Sequence, residues 1–157
     1  MAKTEKSEAP KLAKKPKTEQ PKMANAVKDE KTAAFAETFA TLRALLQRHG
    51  KRLTTTVDKP GDFQLASPTL TDRAGRPLFV AAVQTKKNYV SFHLMPVYGN
   101  PTLLATVSPA LRKRMQGKAC FNFTAIEADQ VKELSALTKK GFDGFKTLKL
   151  PWASAAK

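Results

Sequence analysis

Hydrophobic side chains recur at helical spacing in the first half of the chain. One face of the segment from residue 32 to residue 49 is apolar, and Gly50 follows as a helix stop. The residues of this face are Phe35, Phe39, Leu42 and Leu46. The pattern therefore predicts a helix over about 32–49 that buries these side chains.

Five strands are predicted after this helix, because short runs of alternating or continuous apolar residues lie between turn signals. Their ranges are 52–57, 63–66, 78–85, 89–95 and 119–123. Segment 78–85 is apolar on both faces, which is typical of a central strand. Residues 86–88 form the hairpin turn between it and the next strand.

Alternation with a period of two gives the last two strands one apolar and one more polar face. The apolar positions are Val90, Phe92, Leu94, Phe121 and Phe123. The opposite positions are Tyr89, Ser91, His93, Met95, Cys120 and Asn122. Phe92 and Phe121 are therefore expected to be buried on the same side of one sheet.

Two further helices have recognisable start signals. Ser108 followed by Pro109 is a good helix start, and Leu111 and Met115 provide a buried stripe up to Gly117. A last helix is predicted to open with the capping-box spacing of Thr124 and Glu127, to pack Val131, Leu134 and Leu137, and to end at Gly141. The order of elements predicts an α+β fold in which a mainly antiparallel five-stranded sheet is packed by helices on one face.

The chain divides into three parts by composition. Residues 1–32 hold nine Lys, five acidic residues, three Pro and few large apolar side chains, so they cannot bury enough surface to offset the entropy of ordering. We predict a disordered arm over 1–31, one folded domain over 32–150 and a tail over 151–157.

Positive charge dominates the chain, with 28 Lys plus Arg against 13 Asp plus Glu and a net charge of +15. Four basic residues, Arg43, Arg48, Lys139 and Lys140, fall near predicted helix carboxyl ends, where they complement the helix dipole. The remaining excess predicts weak, non-specific contact with nucleic acid or another polyanion. The candidate contacts are Lys11, Lys14, Lys15, Lys17, Lys86, Lys87, Arg112, Lys113, Arg114 and Lys118.

Catalytic chemistry is not expected, because no motif assembles a nucleophile, a base and an orienting group. Metal or cofactor sites are not expected either, since His49, His93 and Cys120 are far apart and no CxxC or HxxxH spacing occurs. A ligand pocket on the polar side of the sheet is a further hypothesis, although such side chains are more often simply structural. Its candidates are Tyr89, His93, Cys120 and Asn122.

The uncharged run over 88–111 is long enough for a membrane span, but Pro96, Pro101 and Pro109 interrupt it. We therefore interpret it as buried core and expect no membrane partner. The amino terminus has no apolar signal region, and the single cysteine, Cys120, cannot form an internal disulfide. A cytoplasmic location is the resulting expectation.

Two stretches, KKNYVSFHLMPVYG at 86–99 and RMQGKACFNF at 114–123, resemble the YdhG-like domain family. The resemblance covers roughly 35–145 and is most specific at 86–98 and 116–123. It implies the α+β fold described above. Most members of that family are uncharacterised, and one is described as a frataxin-like iron chaperone.

Two functions from different classes follow from these observations. The first is a non-enzymatic basic domain that contacts an acidic partner such as nucleic acid. The alternative, which the resemblance implies, is a frataxin-like metal or small-ligand chaperone. Iron handling of that kind relies on surface carboxylates, and here these are few and dispersed in a domain of charge +11.

Overall fold

The computed structural model describes residues 20–145, 150 and 153–155, of which 20–26 and 154–155 are described as backbone only. The predicted arm before residue 20, with Lys11, Lys14, Lys15 and Lys17, lies outside the described residues. The elements in chain order are α1 Gln20–His49, β1 Thr54–Lys59, β2 Asp62–Thr71, β3 Pro77–Thr85, β4 Val90–Leu94, α2 Met95–Gly99, a 3₁₀ helix Pro101–Thr106, α3 Pro109–Arg112, β5 Met115–Gln116, β6 Cys120–Phe123, α4 Ala128–Gly144 and β7 Ser154–Ala155.

Six strands form an antiparallel sheet in the order β1-β2-β3-β4-β6-β5. The two-residue β7 pairs with β2 at Leu70 and Thr71, beyond the part of β2 that pairs with β1. The α+β class and the antiparallel sheet are confirmed. The predicted number of five strands is wrong, because β5 and β7 are too short to leave an alternation in the sequence.

The hydrophobic core lies between this sheet and the helices. Phe63, Val83, Phe92 and Phe121 are register partners in succession across β2, β3, β4 and β6, and all four are buried. Helix α1 packs over β3 and β4, and α4 packs against α1. The predicted burial of Phe92 and Phe121 on one side of one sheet is confirmed.

Helix α1 begins at Gln20, well before the start near residue 32 that the apolar pattern predicted. Residues 27–33 are exposed, so this part of the helix contributes no core side chains. Lys28, Glu30, Lys31 and Ala33 lie there, and these residue types favour helix without an apolar stripe. The apolar periodicity therefore located the packed part of the helix and not its start.

The helix predicted over 108–117 is wrong beyond its first turn. Ser108 caps it as expected, since its Oγ accepts from the Leu111 N–H at 3.2 Å, and Pro109 is the first helical residue. The helix ends at Arg112, however, and Met115–Gln116 pairs with β6 as strand β5. Beyond Arg112, backbone pairing at the sheet edge thus overrides the helical pattern.

The last helix differs from its prediction at both ends. Its N-cap is Glu127 and not Thr124, and the Glu127 N–H donates to Gln130 Oε1 at 3.2 Å. It continues to Gly144, past Gly141, which is buried inside the helix against Pro96. A Cβ at position 141 would lie 3.0 Å from the Pro96 Cβ, so this glycine serves close packing and not helix termination.

The uncharged run over 88–111 is only partly core. Leu94, Pro96 and Val97 are buried, but the 3₁₀ helix Pro101–Thr106 has no buried residue. Within the part of the chain that the structure describes, no helix is both long and apolar enough to cross a membrane.

Candidate functional site

A groove runs between helix α1 and two turns of the sheet, at the end of the molecule where β3 turns into β4. Its volume is about 760 Å³. One wall is α1, the second is the β1–β2 turn at Pro60 and Gly61, and the third is the β3–β4 turn. The Thr85 N–H donates to the Gly61 carbonyl at 2.8 Å, which ties the two turns together. We call this feature the lysine groove, after Lys28, Lys31, Lys86 and Lys87, which line it.

Helix geometry explains why two of these lysines face the groove. Lys28 and Lys31 are three residues apart, so both project from the same side of α1. Lys31 Nζ lies 3.3 Å from Asn88 Oδ1 in the β3–β4 turn and 5.5 Å from the centroid of the Phe35 ring. The helix and the turn are therefore joined across the groove by one lysine, while its charge stays at the surface.

The floor of the lysine groove is apolar and its rim is cationic. Phe35 is buried and Phe39 is half-buried, whereas all four lysines are exposed. Among the described residues that line the groove there is no carboxylate. Four like charges around an apolar floor attract an anion more strongly than the same charges dispersed over the protein surface.

The second predicted basic cluster surrounds strand β5 at the sheet edge and is partly engaged in internal contacts. Arg112 Nη2 donates to the Leu104 carbonyl at 2.7 Å. Lys118 Nζ lies 5.4 Å from the centroid of the Tyr98 ring. Lys113 is exposed and Arg114 is half-buried.

The four basic residues of the β5 cluster do not line the lysine groove. Lys118 immediately precedes Ala119, whose carbonyl accepts from the N–H of Leu94 at the far end of β4 from the Lys86–Lys87 turn. Lys118 is thus separated from the Lys86–Lys87 turn by the length of β4, roughly 15 Å for five residues at the rise of an antiparallel strand. The Arg114 carbonyl, by contrast, accepts from the N–H of Asn122, the register partner of Ser91 near the start of β4. Lys86 and Lys87 are brought together with Lys28 and Lys31 instead.

The polar positions predicted on the last two strands do share a face of the sheet. His93 is the register partner of Cys120, and Ser91 is the partner of Asn122. Ser91 Oγ lies 3.3 Å from His93 Nδ1. Tyr89 precedes β4 in the hairpin turn, where its carbonyl accepts from the Lys86 N–H at 2.8 Å, and its side chain is exposed.

Electrostatics on this face favour neutral side chains. Burial, followed by the positive charge of Lys86, lowers the pKa of His93 below its usual value. Burial raises the pKa of the Cys120 thiol. Because the thiolate is the reactive form, a raised pKa leaves Cys120 less nucleophilic than an ordinary cysteine at neutral pH.

The ligand-pocket hypothesis for this face stays a prediction. A cavity of about 590 Å³ further along the sheet is lined by residues such as Gln64, Ala66 and Phe79, and by none of the four pocket candidates. Phe79 contacts His93 edge to face, with ring centroids 6.3 Å apart. Across residues 20–145 and the short described stretches after them, no three His, Cys, Asp or Glu side chains are placed to hold a metal ion.

Sequence reasoning missed the contribution of α1 to the lysine groove. The composition of the chain places Lys28 and Lys31 in the predicted disordered arm, and the apolar pattern places Phe35 and Phe39 only in the core. The spacing of Lys28, Lys31, Phe35 and Phe39 at three- and four-residue intervals indicates one continuous helix face. That signal would have identified the α1 wall, although not the turns opposite it.

Comparison of the chain with protein-family models, with curated proteins and with solved structures finds no match. The resemblance to the YdhG-like family therefore stays a prediction.

Proposed function

We propose that this protein is a non-enzymatic binding protein that contacts polyanions, foremost the phosphate backbone of nucleic acid, through the lysine groove. The observation that carries the proposal is the convergence of four lysines from α1 and the β3–β4 turn, with no carboxylate among the described lining residues. The net charge of +15 supplies the long-range attraction that brings a polyanion to this surface.

Lysine chemistry sets the kind of recognition that the groove provides. Each ammonium group is a point charge on a flexible stem, which contacts phosphate without the two-point geometry that arginine uses to read guanine. Binding through lysines therefore positions a nucleic acid by its backbone and displaces counterions. We expect affinity with little sequence preference.

The test is fluorescence anisotropy with labelled single-stranded and duplex oligonucleotides, titrated at salt concentrations from about 50 to 300 mM. Replacement of Lys28, Lys31, Lys86 and Lys87 by Gln should weaken binding uniformly across sequences. It should also make the log-log salt slope shallower by up to about 3.6, since each neutralised phosphate contributes roughly 0.7 to 0.9. Deletion of residues 1–19 should shallow the slope further without abolishing binding.

A matched control variant distinguishes binding at the lysine groove from the effect of overall positive charge. Replacement of Arg112, Lys113, Arg114 and Lys118 by Gln removes the same number of charges from the β5 cluster. We expect a smaller loss, because Arg112 and Lys118 are engaged in internal contacts. Equal losses in both variants, or no binding at the lowest salt, would contradict the proposal, and strong sequence preference would show that another element reads bases.

The metal-chaperone alternative remains a separate prediction from the family resemblance. Calorimetric titration of the whole protein with ferrous iron tests it directly. We expect no stoichiometric binding tighter than tens of micromolar, a rough bound that follows from the need of hard cations for clustered oxygen ligands. A one-to-one site that survives His93→Ala and Cys120→Ala would instead reveal an oxygen-ligand site.

A further inference from the structure

A second cleft lies at the opposite end of the molecule, where α1 and α4 end. Its volume is about 770 Å³, which is within the range of small-molecule sites. The end of α1, the bend of β2 at Ser67–Leu70 and the last turns of α4 enclose it. It is distinct from the lysine groove, because no lining residue is shared.

Cations are in excess around this cleft. Arg48, Lys51, Arg52 and Lys139 line it, and Asp143 is the single carboxylate among its described lining residues. Asp143 is already paired, since its Oδ2 lies 3.2 Å from Lys139 Nζ. Neither Arg48, Lys51 nor Arg52 forms an ion pair within the described part of the chain.

The helix dipoles explain only part of this charge. Arg48 lies in the last turn of α1, where a cation complements the helix carboxyl end. Lys51 and Arg52 lie beyond α1, in the turn that leads to β1, and both are exposed. The helix dipoles therefore do not account for the presence of Lys51 and Arg52 at the mouth of the cleft.

The interior of the cleft is apolar. Leu53, Leu70 and Phe142 are half-buried, and Phe145 is buried, so the cleft presents hydrocarbon below its cationic mouth. Ser67 contributes no free hydroxyl acceptor at the wall, because its Oγ accepts from the Thr69 and Leu70 N–H groups at 3.2 and 3.0 Å. Shape and charge thus select an occupant with one anionic end and one apolar end.

The cations that line the cleft also act on His49. Its Nε2 lies 2.7 Å from Ser135 Oγ. Burial, Arg48 and Lys139 lower the pKa of His49, and Asp143 opposes them. The imidazole is therefore mainly neutral at neutral pH. Its NMR signals should shift when an anion enters the cleft.

We propose that this cleft binds a small amphiphilic anion, an organic phosphate or carboxylate whose charged group meets Lys51 and Arg52 while its apolar body lies against Phe142 and Leu70. This goes beyond polyanion contact at the lysine groove and uses a different surface. The apolar body distinguishes such a ligand from free phosphate, and the charge distinguishes it from a neutral hydrocarbon.

The experiment is an NMR titration of the full chain near neutral pH with three probes, 1-naphthyl phosphate, inorganic phosphate and 1-naphthol. We expect 1-naphthyl phosphate to bind at least tenfold more tightly than either other probe. The perturbed amide signals should cluster at 48–53, 67–70 and 139–145, together with the His49 imidazole.

Variants test whether 1-naphthyl phosphate binds in the cleft. Lys51→Gln with Arg52→Gln should weaken 1-naphthyl phosphate binding at least tenfold, and Thr69→Trp should block the cleft from an exposed wall position. Lys113→Gln with Lys118→Gln removes the same charge from the β5 cluster, which lines neither the cleft nor the lysine groove, and should leave the affinity unchanged. Equal affinity for all three probes, or equal losses in both charge variants, would overturn the proposal.

Discussion

Phe92 in β4 and Phe121 in β6 are direct register partners, and their rings meet edge to face with centroids 6.4 Å apart and planes at 60°. Both side chains are fully buried. The pair joins two strands whose sequences are separated by three helical segments. It is therefore one of the four register pairs that hold β6 to the central hairpin.

Truncation of this pair should destabilise the fold strongly. Phe92→Ala or Phe121→Ala should lower the free energy of unfolding by about 3–5 kcal/mol, because each leaves a cavity in a closely packed core. Lys87→Ala, at an exposed turn position, should change it by about 0.5 kcal/mol or less. Chemical denaturation of the three variants measures the difference, and equal losses at Phe92 and Lys87 would contradict the assigned strand faces.

Two buried hydroxyl groups should respond to removal with opposite signs. Thr138 Oγ1 is buried without a hydrogen-bond partner in the described structure, whereas Ser67 Oγ accepts two backbone N–H groups. Thr138→Val should raise the free energy of unfolding by up to about 1 kcal/mol, since a buried unpaired polar group carries a desolvation penalty.

Ser67→Ala should lower the free energy of unfolding by about 1 kcal/mol, because two backbone N–H groups lose their acceptor. Thermal unfolding of both variants is the measurement. A loss of stability in Thr138→Val would mean that this hydroxyl has a partner in solution.

The two glycines near the end of α4 should also differ. A Cβ at Gly141 would lie 3.0 Å from the Pro96 Cβ, whereas a Cβ at Gly144 would meet nothing within 4 Å. Gly141→Ala should destabilise the protein by about 1–3 kcal/mol through overpacking against a rigid ring. Gly144→Ala should stabilise it by up to about 1 kcal/mol through helix propensity. Equal effects in denaturant titrations would contradict the close contact of α4 with α2.

Stability should fall as the pH drops below about 6.5, the ordinary pKa of histidine. The pKa of His93 is lowered by burial first and by Lys86 second, so the folded protein takes up a proton less readily than the unfolded chain. The stability that a neutral His93 provides is complete above the unfolded pKa and is lost as the pH falls towards the lowered folded pKa. His49 contributes in the same direction.

His93→Gln should therefore make the decline of stability below neutral pH less steep. Lys86→Gln should raise the pKa of His93, as followed by NMR of the imidazole, while Lys87→Gln serves as the control of equal charge. An unchanged His93 pKa in the Lys86 variant would show that Lys86 does not act on that face.

Strand faces were the part of the fold that sequence reasoning predicted best. The alternation in β4 and β6 assigned Phe92 and Phe121 to the core and His93 and Cys120 to the opposite face, and the register confirms both. Side-chain direction in a strand follows from a local period of two, so no knowledge of distant contacts is needed. The ends of elements were less predictable. The segment 108–117 has a helical pattern throughout, and only pairing with β6 makes Met115–Gln116 a strand.

The sequence by itself determined the α+β class, the two faces of the central strands and the positive charge, since these depend on local periodicity and composition. Only the tertiary structure decided which charges act together. Lys28 and Lys86 are far apart in the chain and line one groove because α1 packs over β3 and β4. Lys118 lies away from Lys86, because the length of β4 separates the two residues. Grouping charges in space requires the packing of helix on sheet, and that packing depends on contacts that no local pattern encodes.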